Sequence, residues 1–214
     1  MIVPNMSLPE IRKSVFDDFA CEIKNKIQSI KVTHHGKWIR SGRKDFVETI
    51  LFPVKSKNNW RITIASNKNG VNAIPYLISY NNIGITASHI PFDVDSMPLM
   101  HFNTHFFKRY RERGKIAIEK PEDLVKLFFK KNVVLLPCYF ALEDGTQQLF
   151  TPLAGGVGLG NYHVESDIRE FKTFVDNSLL RQDQKDQIYN IWTHTLNELM
   201  AEINRRLNKK LPMS

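Results

Sequence analysis

Apolar residues at Ile11, Val15, Phe19, Ile23, Ile27 and Ile30 recur in steps of three and four. That period puts side chains on one face of a helix, so a helix is predicted over Ser7–Ile30. Arg12, Asp17, Lys24 and Gln28 fall on its opposite face. Ser7 and Glu10 have capping-box spacing, and Pro9 is tolerated in a first turn, where a missing N–H breaks no helical bond. From Lys31 the pattern changes to strands: Lys31–Arg40, Phe46–Val54, Trp60–Ser66, Ala73–Tyr80 and Ile83–Ile90. Turn signals separate them at Ser41-Gly42, Lys57-Asn58-Asn59, Asn67-Lys68-Asn69-Gly70 and Asn81-Asn82. Such short connections predict antiparallel neighbours in a meander without helical crossovers.

After a loop at Pro91–Pro98 the helical period returns. Leu99–Arg113 is predicted as one helix ended by Gly114, and Pro121–Lys131 as another. Strands are then expected at Val133–Leu142, Gln147–Pro152, Val157–Val164 and Arg169–Val175. A last helix is expected from about Asp183 to Asn208, with the apolar stripe Ile188, Trp192, Leu196, Leu199, Ile203 and Leu207. The fold class that follows is α+β: antiparallel sheet or sheets, two central helices, and long amphipathic N- and C-terminal helices. The chain reads as a single domain, 1–214. If it divides into lobes, a strand-rich leader (1–90) meets a helix-plus-sheet lobe (99–214) at Pro91–Pro98.

Composition changes this picture little. Of 214 residues, 42% are hydrophobic and 24% charged, ordinary values for a chain that builds a core. The two cysteines, Cys21 and Cys138, make neither a disulfide framework nor a zinc pattern, which points to a reducing, cytoplasmic setting. The start of the chain lacks the pattern of a secretory signal. The longest apolar run, Val133–Leu142, is half of the roughly 20 residues that a membrane helix needs. No membrane partner is therefore expected.

Charge matters more. Thirty Lys and Arg face 22 Asp and Glu, a net +8. Residues 101–131 alone hold nine basic and four acidic side chains. A basic surface of this kind suits a polyanion, and RNA or DNA is the expected partner.

The densest chemistry lies in His101–Gly114. Wound at about 100° per residue, this segment puts His101, His105, Lys108, Arg109 and Glu112 on one face and Phe102, Phe106, Phe107 and Tyr110 on the other. Imidazoles can act as acid and base near neutral pH, and Lys and Arg can stabilise charge growing on phosphorus. RNA cleavage needs just these functions, with no cofactor and no metal ion. The opposing reading is a solvated helix face with ordinary surface ion pairs. His101 and His105 also have the i, i+4 spacing of a zinc pair, but Phe102 stands where a metalloprotease motif needs glutamate.

Two further segments stand out. Four of the ten glycines lie within Gly155–Gly160. A phosphate loop would lead into a helix, and Asn161-Tyr162-His163-Val164 reads as strand, so a bulged or tightly bent hairpin is favoured. The late strand Phe171-Lys172-Thr173-Phe174-Val175 alternates. A strict period of two puts Phe171, Thr173 and Val175 on one face, and Lys172 and Phe174 on the other.

A helix with His-x-x-x-Arg-x-x-Glu-Arg, then strands, then a late Lys-Thr-hydrophobic-hydrophobic strand resembles the metal-independent ribonuclease superfamily of barnase-like, EndoU-like, colicin-type and RelE-like toxins. The resemblance spans about Leu99–Val175. It implies toxin-like endoribonuclease activity, with His105, Arg109, Arg113 and Thr173 catalytic. Lys172 belongs to the same late-strand motif. It also brings in an inhibitor protein as an expected partner. The strand-rich leader is outside that family's plan.

His101, Lys108, Arg111, Glu112, Lys115 and Lys172 are the expected nucleic-acid-binding residues. The alternative is a basic nucleic-acid-binding module without catalysis. A third reading has the terminal helix, with its basic end Arg205-Arg206-Leu207-Asn208-Lys209-Lys210, docking a partner rather than capping the core. The ribonuclease reading expects His105, Arg109 and Thr173 to converge on one cleft.

Overall fold

The computed structural model describes residues 1–67, 70–91, 98–141 and 147–209. The Asn67–Gly70 turn and the Pro91–Pro98 loop lie partly outside these residues, as do Lys210 and the side chains of Ile203, Arg206 and Leu207. The chain is α+β. In order, α1 (Leu8–Asp18), a π-helical turn (Phe19–Ile23) and α2 (Lys24–Arg40) lead into β1 (Val47–Phe52), β2 (Asn59–Asn67), β3 (Gly70–Tyr80), β4 (Ile85–His89) and β5 (Leu99–Phe102). Then come α3 (Thr104–Arg113), α4 (Pro121–Lys131), β6 (Cys138–Ala141), β7 (Gln147–Leu153), β8 (Gly156–His163), β9 (Ile168–Asp176) and α5 (Gln182–Lys209).

Among the described residues, nine strands form one sheet in the order β1-β2-β3-β4-β5-β9-β8-β7-β6. The sheet is mostly antiparallel, as expected, but mixed: β5 and β9 pair in parallel. That pair joins the leader meander to the second one. The helices depart from the plan of two central helices between long terminal ones. They divide by sheet face instead. On one face α3 and α4 bury Phe106, Phe107, Tyr110, Phe128 and Phe129 against Tyr76, Met100, Phe102, Phe171 and Phe174. On the other, α1, the π-helical turn and α2 bury Val15, Ile23 and Ile27 against Trp60, Ile62, Leu77, Leu99 and Ile168. Farther along that second face, α5 lays Ile188, Trp192, Leu196 and Leu199 on Cys138, Phe150 and Val157.

Two expected elements take another form. Lys31–Arg40 is helix, not strand. Its β-branched residues favour a strand, but His34 and Trp38 continue the buried stripe of Ile23 and Ile27 in steps near a helical turn. His34 also spans from the Ile30 carbonyl (2.8 Å) to Glu48 on β1 (2.7 Å). Burial of one face outweighs residue propensity here. Leu99–Arg113 is not one helix. Leu99–Phe102 is wholly buried and pairs with β4 on one side and β9 on the other. The helix starts only at Thr104, because the Asn103 side chain caps it, accepting from the Phe106 N–H at 3.0 Å.

β9 breaks strict alternation. Gly160 pairs with Phe171 and Leu159 with Thr173, so Lys172 is the extra residue of a bulge. Phe171 and Phe174 therefore both reach the α3–α4 core, in place of the expected pairing of Phe171 with Val175. A Cβ on Gly160 would run into the Glu170 carbonyl, and one on Gly156 into that of Val175. The glycine-rich segment is thus a strand beside a bulge, with no room for side chains on its inner positions.

Phe102 sits where the α3–α4 layer meets the sheet junction. Its ring stacks on Phe171 at 4.9 Å and meets Phe128 edge-on at 4.9 Å. Phe102→Ala leaves a large cavity there and is expected to destabilise the fold by about 3–5 kcal/mol in urea titrations. A loss below about 1 kcal/mol would mean that the cluster is not close-packed.

Candidate functional site

Alternation along β5 sends Met100 and Phe102 to the α3–α4 core, and Leu99 and His101 to the opposite face. His101 is 3% exposed. Register places Ser88 of β4 on one side of it and Glu170 of β9 on the other. Ser88 Oγ lies 3.0 Å from His101 Nδ1. Burial lowers the His101 pKa to about 4, against the raising effect of the Glu170 charge, and the nearby His163 lowers it further. The ring is therefore neutral at pH 7.

Glu170 gathers the polar groups. Its Oε1 accepts from Asn103 Nδ2 at 3.1 Å. Its Oε2 lies 3.0 Å from His163 Nε2 and 3.4 Å from Lys172 Nζ. Burial alone would raise this carboxyl's pKa. The bonds from His163 and Asn103 and the Lys172 charge outweigh burial and hold it below the usual carboxylate value. Lys172 stands two residues after Glu170, on the same side of the strand, and so within reach of the carboxylate.

A cavity of about 530 Å³ opens beside this row. One wall is polar: His101, Asn103, Thr104, His105, Lys108 and Glu170. The other is built by the N-terminal segment and the β3–β4 turn, with Ile2, Val3, Leu8, Ile11 and Ile83. Lys108 is exposed and has no carboxylate within 4.0 Å among the described residues. His105 is also exposed. Its Nε2 accepts from Arg109 Nε at 3.3 Å, so that nitrogen carries no proton in this arrangement.

The residues expected from sequence are thus partly gathered. His101, His105 and Lys108 line one cavity, and Lys172 joins it through Glu170. Arg109 turns to Glu112 at 3.1 Å. Arg113 donates to the Phe174 carbonyl at 2.6 Å and ties α3 to β9. Thr173 pairs with Leu159, whose side chain packs toward α5, and is not in the cavity wall. Arg111 and Lys115 are exposed and also outside it. Of the expected trio His105, Arg109 and Thr173, only His105 lines the cleft. The helical pair His101/His105 does not exist either, since His101 lies on a strand. Among the described residues no group of three or more His, Cys, Asp or Glu is arranged to hold a metal ion.

Glu170, Asn103, His163 and Ser88 escaped the sequence reading. A charged residue two positions after the buried Ile168, and so on the same strand face, was the available signal for Glu170. Asn103, an N-cap residue two positions ahead of His105, was the signal for the helix start. No helix among the described residues is long and apolar enough to cross a membrane. No protein-family model, curated protein or solved structure matches this chain.

His89 shares the state of His101. It is buried, its Nδ1 bonds the Pro75 carbonyl at 2.7 Å, and burial lowers its pKa to about 4. An unfolded chain takes up protons on both rings below about pH 6.5, whereas the folded chain resists until about pH 4. The unfolded state binds more protons in that window, so stability falls as pH drops from 6.5 to 4. Each ring contributes on the order of 3 kcal/mol at the acid end. Urea midpoints measured across this range should show the fall. His89→Gln, which keeps a donor for Pro75, should flatten it by about one proton's worth; an unchanged slope would show that His89 is not held neutral.

Proposed function

We propose that the cavity beside Glu170 cleaves RNA by metal-independent acid–base chemistry. One observation carries this reading. A carboxylate held ionised, an exposed histidine and an unpaired lysine face a single cavity, inside a basic protein. In the proposed step Glu170 takes the proton of a ribose 2′-hydroxyl. The freed oxygen attacks phosphorus, the new P–O2′ bond forms and the P–O5′ bond breaks. His105 gives its proton to the leaving 5′-oxygen. A 2′,3′-cyclic phosphate and a 5′-hydroxyl result.

For this step the His105 ring must first be protonated. An arriving phosphate competes for the Arg109 guanidinium and so frees Nε2 for its part in the step. Lys108 and Lys172 supply positive charge to the phosphorane. His101, neutral and bonded to Ser88, positions the Glu170 face of the site rather than moving protons.

The alternative is a basic module that binds nucleic acid without cutting it. The local excess of nine basic over four acidic side chains in residues 101–131 favours it. Such binding weakens steeply with salt.

His105→Ala and Glu170→Gln should each lower RNA cleavage by roughly 10²–10⁴-fold, with binding retained within a few-fold. The pH–rate profile should be bell-shaped. Its acid limb belongs to Glu170, lies below the ordinary carboxylate range, and disappears in Glu170→Gln. If the unmodified protein leaves a mixed RNA pool intact while binding it, the binding module is correct.

A further inference from the structure

The apolar wall of the cavity has no part in that chemistry. Ile83 is the clearest case, an isoleucine 84% exposed on the β3–β4 turn at the cavity rim. The turn holding it is rigid. Asn81 Oδ1 accepts from the backbone N–H of Ile83 (3.0 Å) and of Gly84 (2.9 Å), and from Thr104 Oγ1 in the first turn of α3 (3.1 Å). Gly84 has φ +155°, and a Cβ there would meet Thr104 Cγ2 at 2.9 Å. The turn therefore lies hard against the helix that carries His105 and Lys108.

The N-terminal segment is fixed to the same turn. Asn82 Nδ2 donates to Asn5 Oδ1 at 2.7 Å, and the Ile2 N–H donates to Asn58 Oδ1 at 2.7 Å. Ile2, Leu8 and Ile11 also pack on the α1–α2 core. Two separate stretches of chain are thus locked together to hold apolar surface opposite the polar wall that carries His105 and Lys108.

We infer that this apolar wall is a pocket for one unpaired nucleobase, so that the site takes single-stranded RNA and rejects the duplex. The inference rests on the reading of the cavity as an RNA site. A nucleotide has the same two-sided chemistry: a flat base with apolar faces and an anionic phosphate. The phosphate meets Lys108 and His105, and the base lies against Ile83 and the N-terminal segment. A volume of about 530 Å³ fits one nucleotide, within the range of small-ligand sites. In a duplex the base faces are stacked and out of reach, whereas in a single strand they can splay into a protein pocket. The strand-rich leader then has a role of its own, building the half of the site that reads the base.

The test uses a short fluorescent RNA with 2′-fluoro groups, which cannot be cut, alone and annealed to its complement. Anisotropy should show the single strand binding about ten-fold or more tighter than the duplex. Ile83→Ser should weaken single-strand binding about five-fold or more, the scale of one lost base contact, with an unchanged salt dependence. Lys108→Ala should instead make the salt dependence shallower. Equal binding of single strand and duplex, or Ile83→Ser binding like the unmodified protein, overturns the base pocket. A parallel assay with cleavable RNA separates the two readings. Absent cutting with strand-selective binding sinks only the catalytic role; equal cutting of both forms sinks the base pocket and leaves the catalysis standing.

Discussion

The parallel pairing of β5 with β9 is the contact on which the rest of the architecture depends. It spans only four residue pairs, Leu99 with Ile168 through Phe102 with Phe171. Yet among the described residues it alone hydrogen-bonds the leader strands to the later ones within the sheet. A parallel pair needs a crossover, and this one contains α3, α4 and three strands. Side chains on both faces reinforce so short a seam. Phe102 stacks on Phe171 toward α3 and α4, while His101 lies beside Glu170 on the other face. The same four pairs that close the sheet therefore bring together the polar groups of the candidate site.

The bulge at Lys172 is the second constraint. Without it, Phe174 would leave the aromatic core for the opposite face of the sheet. The bulge needs β8 to come very close, and Gly160 provides the room because it has no Cβ. One backbone irregularity thus lets β9 place both Phe171 and Phe174 in the α3–α4 core.

This also explains what could and could not be read from the chain. Local signals sufficed for α4, β2, β7 and α5, because their periods and flanking turn residues agree; for β9 they gave the strand but not its faces. They failed where tertiary contacts decide. Leu99–Phe102 has no period of its own, being buried on both faces between two strands. Val32, Thr33 and Ile39 favour a strand, but the buried faces of His34 and Trp38 make α2. At the site, His101, His105 and Lys108 were visible as a dense polar run. Glu170 was not, because its importance comes from a neighbour 69 positions away in sequence, His101. Phe171 and Phe174, three apart and both aromatic, did carry a sign of the bulge, since an unbroken strand cannot bury both on one face.

The cavity's far wall depends in turn on a buried acid. Asp18, 6% exposed, ends α1 and accepts from Asn58 Nδ2 (2.6 Å), Trp60 Nε1 (2.8 Å) and Ser56 Oγ (2.9 Å) through one oxygen. A buried carboxylate is tolerated only when donors replace water around it, and these three come from the β1–β2 turn and β2. Asn58 then passes the constraint on, since its own Oδ1 takes the Ile2 N–H. The π-helical turn follows directly after Asp18. Val15, Phe19, Ile23 and Ile27 recur in uniform steps of four, which drift around a 3.6-residue helix by about 40° each. A wider turn absorbs part of that drift, so both Val15 before it and Ile27 after it reach the sheet. The helix is thereby held flat on β2 and β3, and the N-terminal segment ahead of it is held over the cavity rather than free to swing from it.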